Sequence, residues 1–123
     1  MIDHIELQVT NLETSVAFYT KALAPLGYEL VMRVKQVAAG FGIGGKPELW
    51  IGVGKPTDKI HVALRAKGRA DVRAFYDAAM AAGGADNGPP GVREMYHPSY
   101  YGAFVLDPDG HNIEAVCHDP YLG

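Results

Sequence analysis

The sequence predicts an α+β fold of two βαβββ modules in a single domain, and three observations predict it. The chain repeats itself: at an offset of 57 residues His4 falls on His61, Leu7 on Leu64, Ala17 on Ala74, Phe18 on Phe75, Tyr19 on Tyr76, Ala22 on Ala79, Ala24 on Ala81 and Gly27 on Gly84. That is eight identities in 24 ungapped pairs, where unrelated sequence gives roughly two, and a fixed offset marks a repeated supersecondary unit. Each copy opens with apolar–polar alternation of period two, the mark of a half-buried strand. Each alternation then runs into an apolar stripe at helical spacing, followed by short apolar runs broken by glycines.

The elements follow in order. Residues 4–9 alternate, with Ile5, Leu7 and Val9 on one face and His4, Glu6 and Gln8 on the other. Asn11 can cap a helix whose stripe is Leu12, Val16, Tyr19 and Leu23. Ala24-Pro25-Leu26-Gly27 ends it, because proline lacks the next turn's donor. Strands are expected over 28–34, 36–43 and 47–53, and the polar stretch 55–58 divides the copies, module one at about 1–54 and module two at about 59–120. The second copy gives a strand at 60–66 and a helix at 69–82 stopped by Gly83-Gly84. The segment 85–91 reads as a loop, and strands fit 92–96, 101–106 and 112–118, with Asp107-Pro108-Asp109-Gly110 a strong turn.

At 123 residues, 48% hydrophobic and 20% charged, the chain fits one globular domain. A net charge of −3 argues against nucleic acid or an anionic membrane as partner, since no basic field attracts them. No apolar run approaches a membrane span and the N-terminus lacks a signal-like pattern, so the chain reads as cytoplasmic. The single cysteine, Cys117, excludes an internal disulfide and fits a reducing compartment.

Each module has one helix to cover one sheet face, so strand parity decides what lines the other. With Leu49, Ile51 and Val53 under the first helix, Glu48 and Trp50 face away; with Ile113, Ala115 and Cys117 under the second, Glu114, Val116 and His118 do. His4, His61, Glu48 and Glu114 therefore share the helix-free face. Imidazoles with carboxylates suit a borderline divalent ion (Zn²⁺, Ni²⁺, Co²⁺, Mn²⁺ or Fe²⁺), and two His with one carboxylate would leave positions open for substrate. Glu48 is the weakest member, because Lys46-Pro47 suggests a turn and a solvated rim carboxylate.

At these residues the chain resembles the vicinal-oxygen-chelate superfamily, also called the glyoxalase/bleomycin-resistance/dioxygenase superfamily. The carrying segments are Ile2-Asp3-His4-Ile5, Phe18-Tyr19, His61-Val62-Ala63, and 102–114, where Asp107-Pro108-Asp109-Gly110 leads into Asn112-Ile113-Glu114. The resemblance implies two modules whose mixed sheet curls around a cleft, a homodimer sharing sites across its interface, and metal ligands at His4, His61 and Glu114 with Glu48 as a possible fourth. It also implies a small-molecule substrate chelated through adjacent oxygens.

The reaction stays open among activities of that family. A glyoxalase-like lyase or isomerase needs a carboxylate that moves a proton, and Glu114 or Glu48 could serve. A ring-cleaving dioxygenase would use His4, His61 and Glu114 on Fe²⁺, in chains that are usually longer. Fosfomycin-type thiol transfer is disfavoured by Glu6, where a small hydroxyl residue is expected. A metal-free ligand- or drug-binding module is the rival from another class, with Trp50, Tyr96, Tyr100 and Tyr101 as aromatic walls. His97 with Tyr100 or Tyr101 could relay a proton or donate to substrate, against simple aromatic packing. Arg65 and Gln8 are candidate substrate anchors, though Arg65 could equally neutralise Glu6. His111 and His118 read as surface residues, and Cys117 as packing.

Overall fold

Two four-stranded mixed sheets, each covered on one face by one helix, carry the fold of residues 1–120, which the computed structural model describes. Module one contributes β1 (Ile5–Val9), α1 (Leu12–Leu23), β2 (Glu29–Val34), β3 (Ala38–Ile43) and β4 (Lys46–Val53). Module two contributes β5 (His61–Arg65), α2 (Arg69–Ala81), β6 (Ala85–Val92), β7 (Tyr101–Leu106) and β8 (Asn112–Cys117). The sheet orders are β1-β4-β3-β2 and β5-β8-β7-β6, with β1/β4 and β5/β8 parallel and the other pairs antiparallel. The α+β class and the duplicated module stand as the sequence predicts. No helix among the described residues is long and apolar enough to cross a membrane.

Local chemistry sets the helix ends. Asn11 is extended and its side chain accepts from Thr14 N at 3.0 Å, satisfying one of the free donors of α1. A 3₁₀ turn at Ala24–Leu26 follows, and Gly27 closes it at φ +85°, a conformation L side chains rarely adopt. α1 packs on β3 and β4, α2 on β7 and β8, and the helices pack on each other. Phe18, Tyr19, Phe41 and Phe75 meet Leu7, Ile51, Val105 and Ile113 in one core spanning both modules. Each such side chain contributes about 1.5–3 kcal/mol by leaving water.

Three sequence expectations give way. Residues 85–91 form most of β6 instead of a loop, despite Pro89-Pro90. β6 lies at the sheet edge and pairs with β7 through register shifts at Gly88 and Gly91, where missing donors and extra residues are tolerated. Residues 93–100, expected to begin with strand, make turns closed by Arg93 N donating to Tyr100 O at 2.7 Å. Val53, expected under α1, is 50% exposed because β4 ends there.

His111 is a fourth correction: it is 1% exposed, not a surface residue. Its Nδ1 accepts from Ile60 N at 3.0 Å and its Nε2–H donates to Gln8 O at 2.8 Å. The turn before it ties the modules again, since Asp109 accepts from Thr10 N and Tyr19 OH donates to Asp107 across 2.5 Å. The Asp-Pro-Asp-Gly segment is therefore a strap between halves as well as a turn.

Candidate functional site

The helix-free face of module two brings a buried carboxylate and an open imidazole together. Glu114, on β8, is 1% exposed, and its Oε1 lies 2.8 Å from His61 Nε2 on neighbouring β5. The other oxygen, Oε2, accepts from the Tyr100 hydroxyl. The His61 side chain remains half exposed. Around this pair stand Phe104, whose ring centroid is 6.2 Å from that of His61, and Tyr100, 5.1 Å from both Tyr96 and His118. His97 lies 6.2 Å from His118 and its Nδ1 accepts from Ser99 N. His118 is exposed, as its position near the end of β8 predicts.

The module-one residues gather elsewhere in the protomer. His4 lies just before β1 and its Nδ1 is 2.8 Å from Asp3 Oδ1, which Lys46 approaches through the other oxygen. His4 and Glu48 line a cavity of ≈ 280 Å³ with Tyr28 and, from β5, Ala63. Among the described residues no three potential metal ligands of one protomer converge.

Register explains why Glu48 does not mirror Glu114. Ile5 pairs with Leu49 and Val62 with Ile113. Ile5 and Val62 are equivalent in the repeat, so Leu49 matches Ile113 and Glu114 finds its counterpart in Trp50. Glu48 is moreover the extra residue of a bulge, since Phe41 pairs with Leu49 and Gly42 with Pro47. A bulge re-aims the side chain, and Glu48 accepts from Tyr28 OH at 2.8 Å.

The remaining sequence candidates divide. Trp50 lies over Gly40, where a Cβ would stand 3.0 Å from ring carbons, and lines an open cleft of ≈ 530 Å³ with His4 and Glu6. Gln8 lines a separate pocket with Glu6 and His111. Arg65 is exposed on β5. Tyr101 does not face the cleft: it pairs with Cys117, and parity turns both toward α2. Its ring carries the Arg69 guanidinium at 4.9 Å and its hydroxyl accepts from Arg73. Phe104 and Asn112, on the Glu114 face, were legible from the alternation that placed Glu114. Arg93 directly follows β6, an edge strand that Pro89-Pro90 conceals in the sequence.

Four phenols are held protonated beyond their ordinary range, Tyr76 through desolvation and its bond to Asp86 and three others at more buried positions. Burial, then the Asp107 charge, pushes Tyr19 well up; burial and the bond to Glu48 push Tyr28 to about 12; burial and the bond to Glu114 raise Tyr100. A phenol raised on folding stabilises fully below its unfolded pKa, near 10. For Tyr28 that contribution is expected to vanish as pH rises through about 12. Ultraviolet phenolate titration should show these three ionising in a late step above the ordinary phenol range, and ionisation of all phenols in a single early step would contradict the geometry.

A family model described as the glyoxalase/bleomycin resistance protein/dioxygenase superfamily matches residues 1–115. A glyoxalase/bleomycin resistance protein from Albidiferax ferrireducens superposes with a TM-score of 0.77 at 27% identity, covering 98% of this chain and 99% of the other. A glyoxalase-related enzyme from Fulvimarina pelagi gives 0.72 at 22% identity, covering 94% and 86%. A lactoylglutathione lyase from Agrobacterium tumefaciens gives 0.72 at 17%, covering 94% and 92%, a likeness of fold. Among curated proteins none matches. With a duplicated βαβββ scaffold and a family match over nearly its whole length, the chain belongs to the glyoxalase/bleomycin resistance protein/dioxygenase superfamily.

Proposed function

We propose that this protein is a metal-dependent lyase or isomerase of glyoxalase type, acting in the cytoplasm on a small molecule chelated through adjacent oxygens. The observation that carries the reading is the His61–Glu114 pair: nitrogen and oxygen donors adjoin on an open sheet face, with the carboxylate oriented from behind by Tyr100. Their chemistry fits a borderline divalent ion such as Zn²⁺, Ni²⁺, Co²⁺, Mn²⁺ or Fe²⁺. Among the described residues of one protomer no third donor joins them. In this reading His4 of the partner subunit completes the set in a homodimer, and Glu48 joins only by releasing Tyr28.

When bound, the ion supplies Lewis-acid stabilisation to charge developing on substrate oxygen. The chain's own residues do the rest. Glu114, or Glu48 if freed, holds or moves the substrate proton, and protonated Tyr100 fixes the Glu114 carboxylate. Trp50 offers an apolar wall.

The test is ion retention, read by elemental analysis of protein purified without chelator and offered Ni²⁺, Zn²⁺, Mn²⁺ and Fe²⁺. Stoichiometric retention by the unmodified chain and none by His4→Ala/His61→Ala is expected. Mixed dimers of single His4→Ala and His61→Ala subunits should regain one of two sites if the site is shared. An unmodified protein that holds no ion would leave metal-free ligand binding in its place. Turnover of methylglyoxal with glutathione, against that of a catechol with Fe²⁺, separates lyase from dioxygenase.

A further inference from the structure

Beside the His61–Glu114 pair lies a pocket of ≈ 290 Å³ built around Arg93, Asn112, Phe104 and Tyr96. Its cation is fixed in place. The Arg93 Nη2 donates to Pro89 O at 2.7 Å, and the guanidinium carbon sits 5.4 Å from the Phe104 ring centroid. Two glycines of β6 make this possible. A Cβ on Gly88 would stand 3.2 Å from Arg93 Nη2, and one on Gly91 would stand 3.0 Å from Nη1. Among the described residues no carboxylate pairs with Arg93. Several of its N–H groups are therefore left to face a ligand, in a fork suited to two oxygens.

A second lining residue asks for the complementary group. Asn112 Oδ1 is buried and has no hydrogen-bond partner. A buried carbonyl without a donor is costly, so a ligand that brings an O–H or N–H gains there. Phe104 and Tyr96 add aromatic surface to the same lining. The pocket has one cation and no second, which matches a monoanion better than a doubly charged phosphate. Its position links it to the chemistry: Asn112 is the register partner of His61, and Phe104 that of Glu114.

We propose that this pocket anchors a small carboxylate that bears a hydroxyl or N–H donor and a flat apolar tail, with Arg93 on the carboxylate and Asn112 Oδ1 on the donor. This names the substrate class of the site under the reading that His61–Glu114 is the reactive centre. The pocket thereby places the carbon that bears the hydroxyl or amine next to His61.

Mandelate is the probe, titrated calorimetrically into the chelator-treated protein. Saturable binding is expected. Phenylacetate, lacking the hydroxyl, should bind about 5- to 10-fold more weakly, and mandelamide, lacking the charge, about 10- to 100-fold more weakly. Arg93→Gln should lose about 10- to 100-fold, and Arg93→Lys should recover only part, because an ammonium lacks the fork. Asn112→Leu should erase the preference for mandelate over phenylacetate. Mandelate binding that is undetectable in the unmodified protein, or unchanged in Arg93→Gln with a native melting curve, overturns the anchor. The two readings fail separately: mandelate binding without ion retention removes only the metal, and ion retention without mandelate binding removes only the anchor.

Discussion

Replacing Asp107 with alanine is expected to lower the unfolding free energy by about 3–5 kcal/mol, a fall of about 10–20 °C in Tm for a domain of this size. The carboxylate is 5% exposed. Its Oδ2 accepts from Tyr19 OH at 2.5 Å, and its Oδ1 accepts from Asp109 N and His111 N at 2.9 and 2.8 Å. Alanine would leave a fully buried phenol without an acceptor and two backbone donors without a partner. The loss is also one of connection, because Tyr19 belongs to module one and Asp107 to module two. Tyr19→Phe removes only the hydroxyl and leaves the carboxylate its two turn donors, so it should cost about 1–2 kcal/mol. Urea unfolding measures both. An Asp107→Ala loss no larger than that of Tyr19→Phe would mean that the turn donors contribute nothing.

Glu114→Gln is expected to weaken Zn²⁺ or Ni²⁺ binding by at least about 100-fold, since loss of a ligand's supporting hydrogen bond alone typically costs 10- to 100-fold. Glutamine keeps the shape and can still accept from Tyr100, so the ion-free protein should melt close to the unmodified chain. Competition with a chromophoric chelator gives the affinity. Tyr100→Phe leaves the donor in place and frees its orientation, with an expected loss of about 10- to 100-fold. Unchanged affinity in Glu114→Gln would remove Glu114 from the donor set.

The scaffold was legible because two periods are written into the chain. Ile5, Leu7 and Val9 alternate against His4, Glu6 and Gln8, while Leu12, Tyr19 and Leu23 recur at helical spacing, and tertiary packing agrees with both. His61 and Glu114 could be paired by parity alone, since β5 and β8 carry no bulge between them. Glu48 could not be placed so, because one extra residue in β4 breaks the alternation and no local composition announces it. The offset of 57 holds through the first strand and helix, but loop lengths change it before the closing strands, which hides the match of Trp50 with Glu114. β6 escaped because Pro89-Pro90 argues against a strand unless its edge position is known. His111 escaped because proximity to a turn says nothing of the other module closing over it.

The correspondence of Trp50 with Glu114 shows what duplication leaves free. Beneath both positions the hydrophobic neighbours are alike, Leu49 and Ile51 in one half, Ile113 and Ala115 in the other, all buried. Exchanging an acid for an indole there leaves the packed interior untouched. Two once-equivalent copies can thus divide their labour, one retaining a charged group and the other becoming furniture for whatever molecule visits.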